Sequence, residues 1–107
     1  MAAVRFQVRN EGNQQIVDEI HKVVVHKFDL SDVEDPDLYA AEPIWKWQQS
    51  DAGKFVMEYA VDKPEWQRHM DPMFMGYRYI VVAELEKKKL SEFYLKWGKD
   101  GSNSTRR

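Results

Sequence analysis

The chain has no cysteine. That excludes a disulfide framework, thiolate zinc, iron–sulfur ligation and a cysteine nucleophile together. Its five glycines stand apart from one another, so no glycine-rich phosphate loop is formed. Asp51-Ala52-Gly53-Lys54 lacks the first glycine and the hydroxyl of a P-loop, and no Gly-x-Ser-x-Gly elbow occurs. Long apolar runs are missing as well. None approaches the ~20 residues of a membrane helix, and MAAVRFQVRN has no apolar centre of a secretory signal. These absences predict a cytoplasmic protein that does not bind a membrane. Neither charge sign dominates: sixteen basic and eighteen acidic residues leave a net charge of −2, which argues against coating nucleic acid. No cofactor is expected, and no catalytic motif is present.

What the sequence does contain is order. At 107 residues it has room for one domain with its own core. Val4, Phe6 and Val8 alternate with Arg5, Gln7 and Arg9, the period of a half-buried strand. Asn10-Glu11-Gly12-Asn13 is a turn cluster. The β-branched run from Ile16 to Leu30 predicts a long strand hairpinned to the first, with a helix over Gln14 to Val24 as its competitor. On the strand reading Ile20, Val24, Phe28 and Leu30 share one face, and Val17, Val23 and Val25 the other.

An acidic connector, Asp29 to Asp37, leads to Asp35 as N-cap and Pro36 at a first helical position. Leu38, Ala41, Trp45, Ala52, Val56 and Tyr59 form one helical stripe if the helix survives Pro43 and Gly53. Pro43 predicts a kink or break, and Ser50-Asp51 can cap a second helix. Trp45 and Trp47 fall on different sides, about 200° apart, so at least one is expected in the core. Glu65 to Gly76 has the composition of an ordered loop, and Tyr77 to Leu85 is the clearest strand. Glu86-Lys87-Lys88-Lys89 follows as a polar turn, and Leu90 to Trp97 as a last strand with Phe93, Leu95 and Trp97 aligned. The expected class is α+β, ordered β-β-α-β-β: an antiparallel four-stranded sheet with one face covered by one bent or two short helices. The domain covers residues 1–97, and 98–107 form a flexible C-terminal tail.

Candidate chemistry is sparse. His21 and His26, five apart, should lie on opposite faces of a strand and share no ligand. His69 stands beside Asp71, an arrangement that can orient an imidazole but is more commonly a loop-packing histidine. The acidic run Asp29, Asp32, Glu34, Asp35, Asp37 lacks the glycine and terminal Glu of a calcium loop, so a solvated loop is the plainer reading. No metal is expected. Trp66 and Trp97 are expected as hydrophobic lids. The distinctive group is Met70, Met73, Phe74 and Met75, which must fold back on the sheet or dock elsewhere.

The leading expectation is a non-enzymatic protein-interaction or assembly module. It would bind a protein partner, or itself as a homodimer, through Trp66, Met70, Met73, Phe74 and Met75, with Trp66 and Phe74 as anchors. A free sheet edge is a second route to a homodimer. The alternative is a small ligand-binding protein or enzyme with a pocket between helix and sheet near His69, lined by the polar cluster Arg68, His69, Asp71 and Arg78. A third reading is an acidic decoy for a basic protein surface.

Tyr39-Ala40-Ala41-Glu42-Pro43, Trp47-Gln48-Gln49, Gly53-Lys54, Gly76-Tyr77-Arg78-Tyr79 and Leu95-Lys96-Trp97-Gly98 carry a resemblance across about Phe28 to Gly98. On them the chain resembles a family of small proteins of large contractile-tailed marine phages, especially the cyanophages. The resemblance implies a phage protein working in an infected bacterial cytoplasm or in particle assembly. It implies no activity and no catalytic residues, and it leaves out the N-terminal hairpin.

Overall fold

A computed structural model describes residues 3–31, 33–73 and 75–98, without the side chain of residue 71. The elements run β1 (Ala3–Glu11), β2 (Gln14–Ser31), α1 (Pro36–Gln49), α2 (Asp51–Tyr59), β3 (Glu65–Asp71), β4 (Gly76–Glu86) and α3 (Lys87–Trp97). The four strands form one sheet in the order β1-β2-β4-β3, with every neighbouring pair antiparallel. The class is α+β, and the helices pack on one face. Of the tail expected over 98–107, all but Gly98 lies outside the described residues.

Four strands are present, but the fourth is not the expected one. Leu90 to Trp97 belongs to α3, and Lys87-Lys88-Lys89 is its first turn rather than a hairpin turn. The segment holds no β-branched residue, and Leu90, Phe93 and Trp97 recur at helical spacing. Phe93 is fully buried and Leu90 nearly so, whereas Leu95, aligned with Phe93 on the strand reading, is 84% exposed. The missing strand is supplied by Glu65 to Asp71, expected as loop. It pairs with β4 from Glu65↔Val82 to Asp71↔Gly76, so the second hairpin is β3–β4.

The tryptophan-rich middle is two helices, as one of the two expectations had it. The break lies at Ser50, not at Pro43, which α1 passes through. Ser50 is extended, and its Oγ accepts from the Gly53 N–H at 3.1 Å and donates to the Trp47 carbonyl at 2.5 Å. Gly53 is required at this junction, because a Cβ there would lie 1.8 Å from the Trp47 carbonyl oxygen. Pro36 opens α1, but the N-cap Asp35 sits at φ 54 and makes no side-chain capping bond. The expected stripe holds in α2 for Ala52 and Val56, which are buried, but not for Tyr59, which is exposed, and it fails in α1. There Ala40 and Trp47 turn inward, while Leu38 and Trp45 are exposed.

The core joins Val23, Val25, Val81, Ala83 and Leu85 of the sheet to Trp47, Val56, Leu90 and Phe93 of the helices. A bulge between Val24 and His26 shifts the β2 register by one residue. Val23 therefore faces the helices before it and Phe28 after it, and the expected separation of odd from even positions breaks down. Val25 is the inserted residue and is fully buried.

The N-terminal hairpin departs furthest from expectation. β1 has the predicted alternation, but it is exposed along its whole length. β4 pairs with β2 only as far as Ile20↔Glu86, where the chain turns into α3. Beyond that point β2 pairs with β1 alone. A two-stranded arm thus projects from the body, and the molecule measures 56 × 28 × 23 Å.

Candidate functional site

Cross-strand partners share a face of the sheet, and this sorts the expected site residues. Trp66 pairs with Val81, Arg68 with Tyr79 and Met70 with Tyr77, so these turn toward the helices. His69 pairs with Arg78 on the opposite face. The polar cluster expected around His69 is therefore split. Arg68 bonds Asp37 of α1 at 3.0 Å, Arg78 bonds Asp29 of β2 at 2.8 Å, and His69 bonds Gln67 at 3.2 Å. The side chain of Asp71 lies outside the described residues.

A cleft of about 460 Å³ opens between α1 and the β3 edge, lined by Asp37, Ala40, Ile44, Trp66, Arg68 and Tyr79. Its polar end is a small network. The Tyr79 hydroxyl donates to Asp37 Oδ1 at 2.7 Å, and the Arg68 guanidinium donates to the same oxygen. The bond from Tyr79, then Arg68, holds the Asp37 carboxyl below its ordinary range. Burial first, then the Asp37 carboxylate, pushes the Tyr79 phenol up. Asp37 and Tyr79 were not among the expected site residues. They stand 42 positions apart, and no local pattern links them.

Trp66 is partly buried and packs against the core. It meets Trp47 edge-on at 5.9 Å and lies near Phe28. Trp97 is likewise packed against the core. The methionines go the other way. Met70, Met73 and Met75 are all exposed, Met73 at 93%. Met75 holds a left-handed backbone conformation at φ 60, so the turn carries a bulky side chain where glycine is easier. Phe74 lies outside the described residues.

The bulge also corrects the histidine geometry. His21 pairs with Leu85 and His26 with Val81, which puts both on the helix-facing side. Four residues of β4 still separate those partners, about 13 Å of strand, so they do not meet. His26 stacks on Trp47 at 5.3 Å, and burial lowers its pKa. Among the described residues no three His, Asp or Glu side chains are arranged to hold a metal ion. The acidic run is dispersed: Asp29 and Asp37 are each paired with an arginine, and Asp32 lies outside the described residues.

A second apolar group, missed as a surface, lies on the arm. Val4, Phe6, Val8 and Val17 are exposed, Phe6 at 65%. Phe6 pairs with Glu19 and Val8 with Val17 on one face of the ribbon. Arg5, on the other face, grips Glu84 of β4 through two bonds of 3.0 Å and ties the base of the arm to the body. Arg9 pairs with Asp18 and Glu11 further out.

Among the described residues no helix is long and apolar enough to cross a membrane. No protein-family model, no curated protein and no solved structure matches this chain.

Proposed function

We propose that this chain is a non-enzymatic protein-interaction module that presents the methionines of the β3–β4 turn to another protein. The observation that carries the reading is their exposure. Met70, Met73 and Met75 lie at the end of β3 and in the turn that follows it, and all three are largely exposed. Methionine is flexible and polarisable, and adapts to irregular apolar partners. Contiguous exposed apolar groups on a small domain mark contact sites. The likeness of residues 28–98 to small proteins of contractile-tailed phages fits such a contact in particle assembly or in an infected bacterial cytoplasm.

The test is affinity capture from the native cell, comparing the unaltered chain with a Met70→Ser, Met73→Ser, Met75→Ser variant of equal thermal stability. A partner retained by the first and lost with the second supports the reading. The same partner recovered equally by both sinks it.

The cleft beneath α1 favours a second reading, a small ligand-binding protein. Its Trp66, Ile44 and Ala40 wall and its Asp37–Arg68–Tyr79 end provide an apolar surface with a few converging polar groups. Fragment screening by NMR checks it. Shifts confined to Trp66 and Tyr79, abolished by Arg68→Leu, favour this reading, and silence at those residues removes it.

A further inference from the structure

We infer that the arm is a dimerisation device: β1 pairs antiparallel with β1 of a second copy across a two-fold axis centred on Phe6. The inference rests on reading the chain as an interaction module but uses a different surface from the methionine turn, so the two can fail separately.

The first argument is that the arm is incomplete alone. A two-stranded ribbon is marginal in water without a third strand or a layer over its apolar face. Among the described residues β4 pairing stops at Ile20↔Glu86 and β1 stays exposed along its length, with only the start of α3 lying beside Val17 and Glu19. The ribbon nevertheless carries Val4, Phe6, Val8 and Val17 on one face.

The second argument is the direction of the backbone. The two-residue turn Gly12-Asn13, with Gly12 at φ 61, fits a type II′ hairpin closed by Glu11 and Gln14. Glu11 and Gln14 then form a hydrogen-bonded pair, as do Arg9↔Ile16, Gln7↔Asp18 and Arg5↔Ile20. The N–H and C=O groups of Val4, Phe6 and Val8 consequently point out of the sheet. The residues that offer free backbone bonds are the same ones that offer apolar side chains. Edge strands are ordinarily protected by charge or proline. β3, the other edge, carries Glu65, Arg68 and His69; the arginines of β1 are drawn off by Glu84 and Asp18 instead.

The third argument is self-complementarity. Centred on Phe6, the pairing sets Phe6 against Phe6, Val4 against Val8 and Arg5 against Gln7 of the second copy. Apolar meets apolar, and no like charges stand opposite. A shift to a Gln7 centre would oppose Arg5 to Arg9 twice and Val4 to Asn10, which disfavours it. The result is a continuous sheet of both chains, with the two Phe6 rings adjacent on the two-fold axis.

The test is sedimentation equilibrium of the full chain over a concentration series, with three variants. Val8→Pro removes an outward N–H and leaves the ladder to β2 intact, since proline is tolerated at a free edge. Phe6→Asp removes the central apolar pair and introduces like charges. Met73→Ser is the control for the other surface. The expected result is a concentration-dependent dimer. Val8→Pro and Phe6→Asp should each raise its dissociation constant by about tenfold or more, with circular dichroism unchanged, while Met73→Ser leaves it alone. A chain monomeric throughout the series overturns the inference. So does a dimer that survives both arm variants, and so does one that Met73→Ser dissolves.

Discussion

At the scale of single residues, close backbone approach and burial of a titratable ring decide the outcome. Gly53 sits where the first turn of α2 meets the last carbonyls of α1, and a methyl group there would collide with the Trp47 carbonyl. Gly53→Ala therefore forces the two helices apart although alanine is the better helix former. A loss of about 1–3 kcal/mol is expected from such overpacking, and chemical denaturation reads it directly; a gain in stability would mean that the junction has room to relax. His26 supplies a pH dependence. Its ring stacks on Trp47, and burial lowers its pKa from the ordinary 6.5. The unfolded chain thus binds the proton more readily than the folded one. The stability that follows from a neutral His26 is fully present above pH 6.5 and is lost as pH falls toward the lower folded value. His26→Leu should melt at nearly the same temperature at pH 7.5 and pH 5.5, while the unaltered chain melts lower at the acidic value. Equal drops in both proteins would show that other groups set the dependence.

At the scale of elements, α3 is the sharpest case. Phe93 is its buried centre and Leu95 lies outside. Phe93→Ala should cost about 3–5 kcal/mol through lost burial and a cavity. Leu95→Ala should stay within about 0.5 kcal/mol. Comparable losses for the two would restore the strand alignment that the sequence favoured. That alignment misled because Phe93, Leu95 and Trp97 fit period two while Leu90, Phe93 and Trp97 fit a helix, and only the neighbours on each side decide between them. β4 was legible because Tyr79, Val81, Ala83 and Leu85 alternate in a strand with neighbours on both edges. α1 and α2 were legible from Pro36, Ser50 and rings at helical spacing. β3 was not, since Gln67, Arg68 and His69 are tolerable on an edge strand with one partner but have the composition of a loop. The bulge at Val25 left no mark, because Val23-Val24-Val25 carries no glycine and looks uniform. The methionine group was visible as composition. The Asp37–Arg68–Tyr79 network was invisible, since it exists only after α1 has docked on β3 and β4.

At the scale of the whole molecule, the contrast is between a layered body and a bare arm. β2 belongs to both: its later half pairs with β4 under the helices, and its first residues pair with β1 alone. Local stability follows buried contact density, so one continuous strand should show two regimes of amide exchange. In dilute solution the amides of Val23 to Phe28 should exchange about 100-fold or more slowly than those of β2 before Ile20. The boundary should fall near Ile20, where β4 pairing stops and where Arg5 clasps Glu84. Raising the protein concentration adds a discriminating readout. A second copy on the β1 edge supplies bonds to the outward N–H groups of Val4, Phe6 and Val8, and those three should gain protection before any other exposed amides. Uniform exchange along β2 at all concentrations would mean that the arm is as firmly held as the body. The physical reason for expecting a partner there would then be gone.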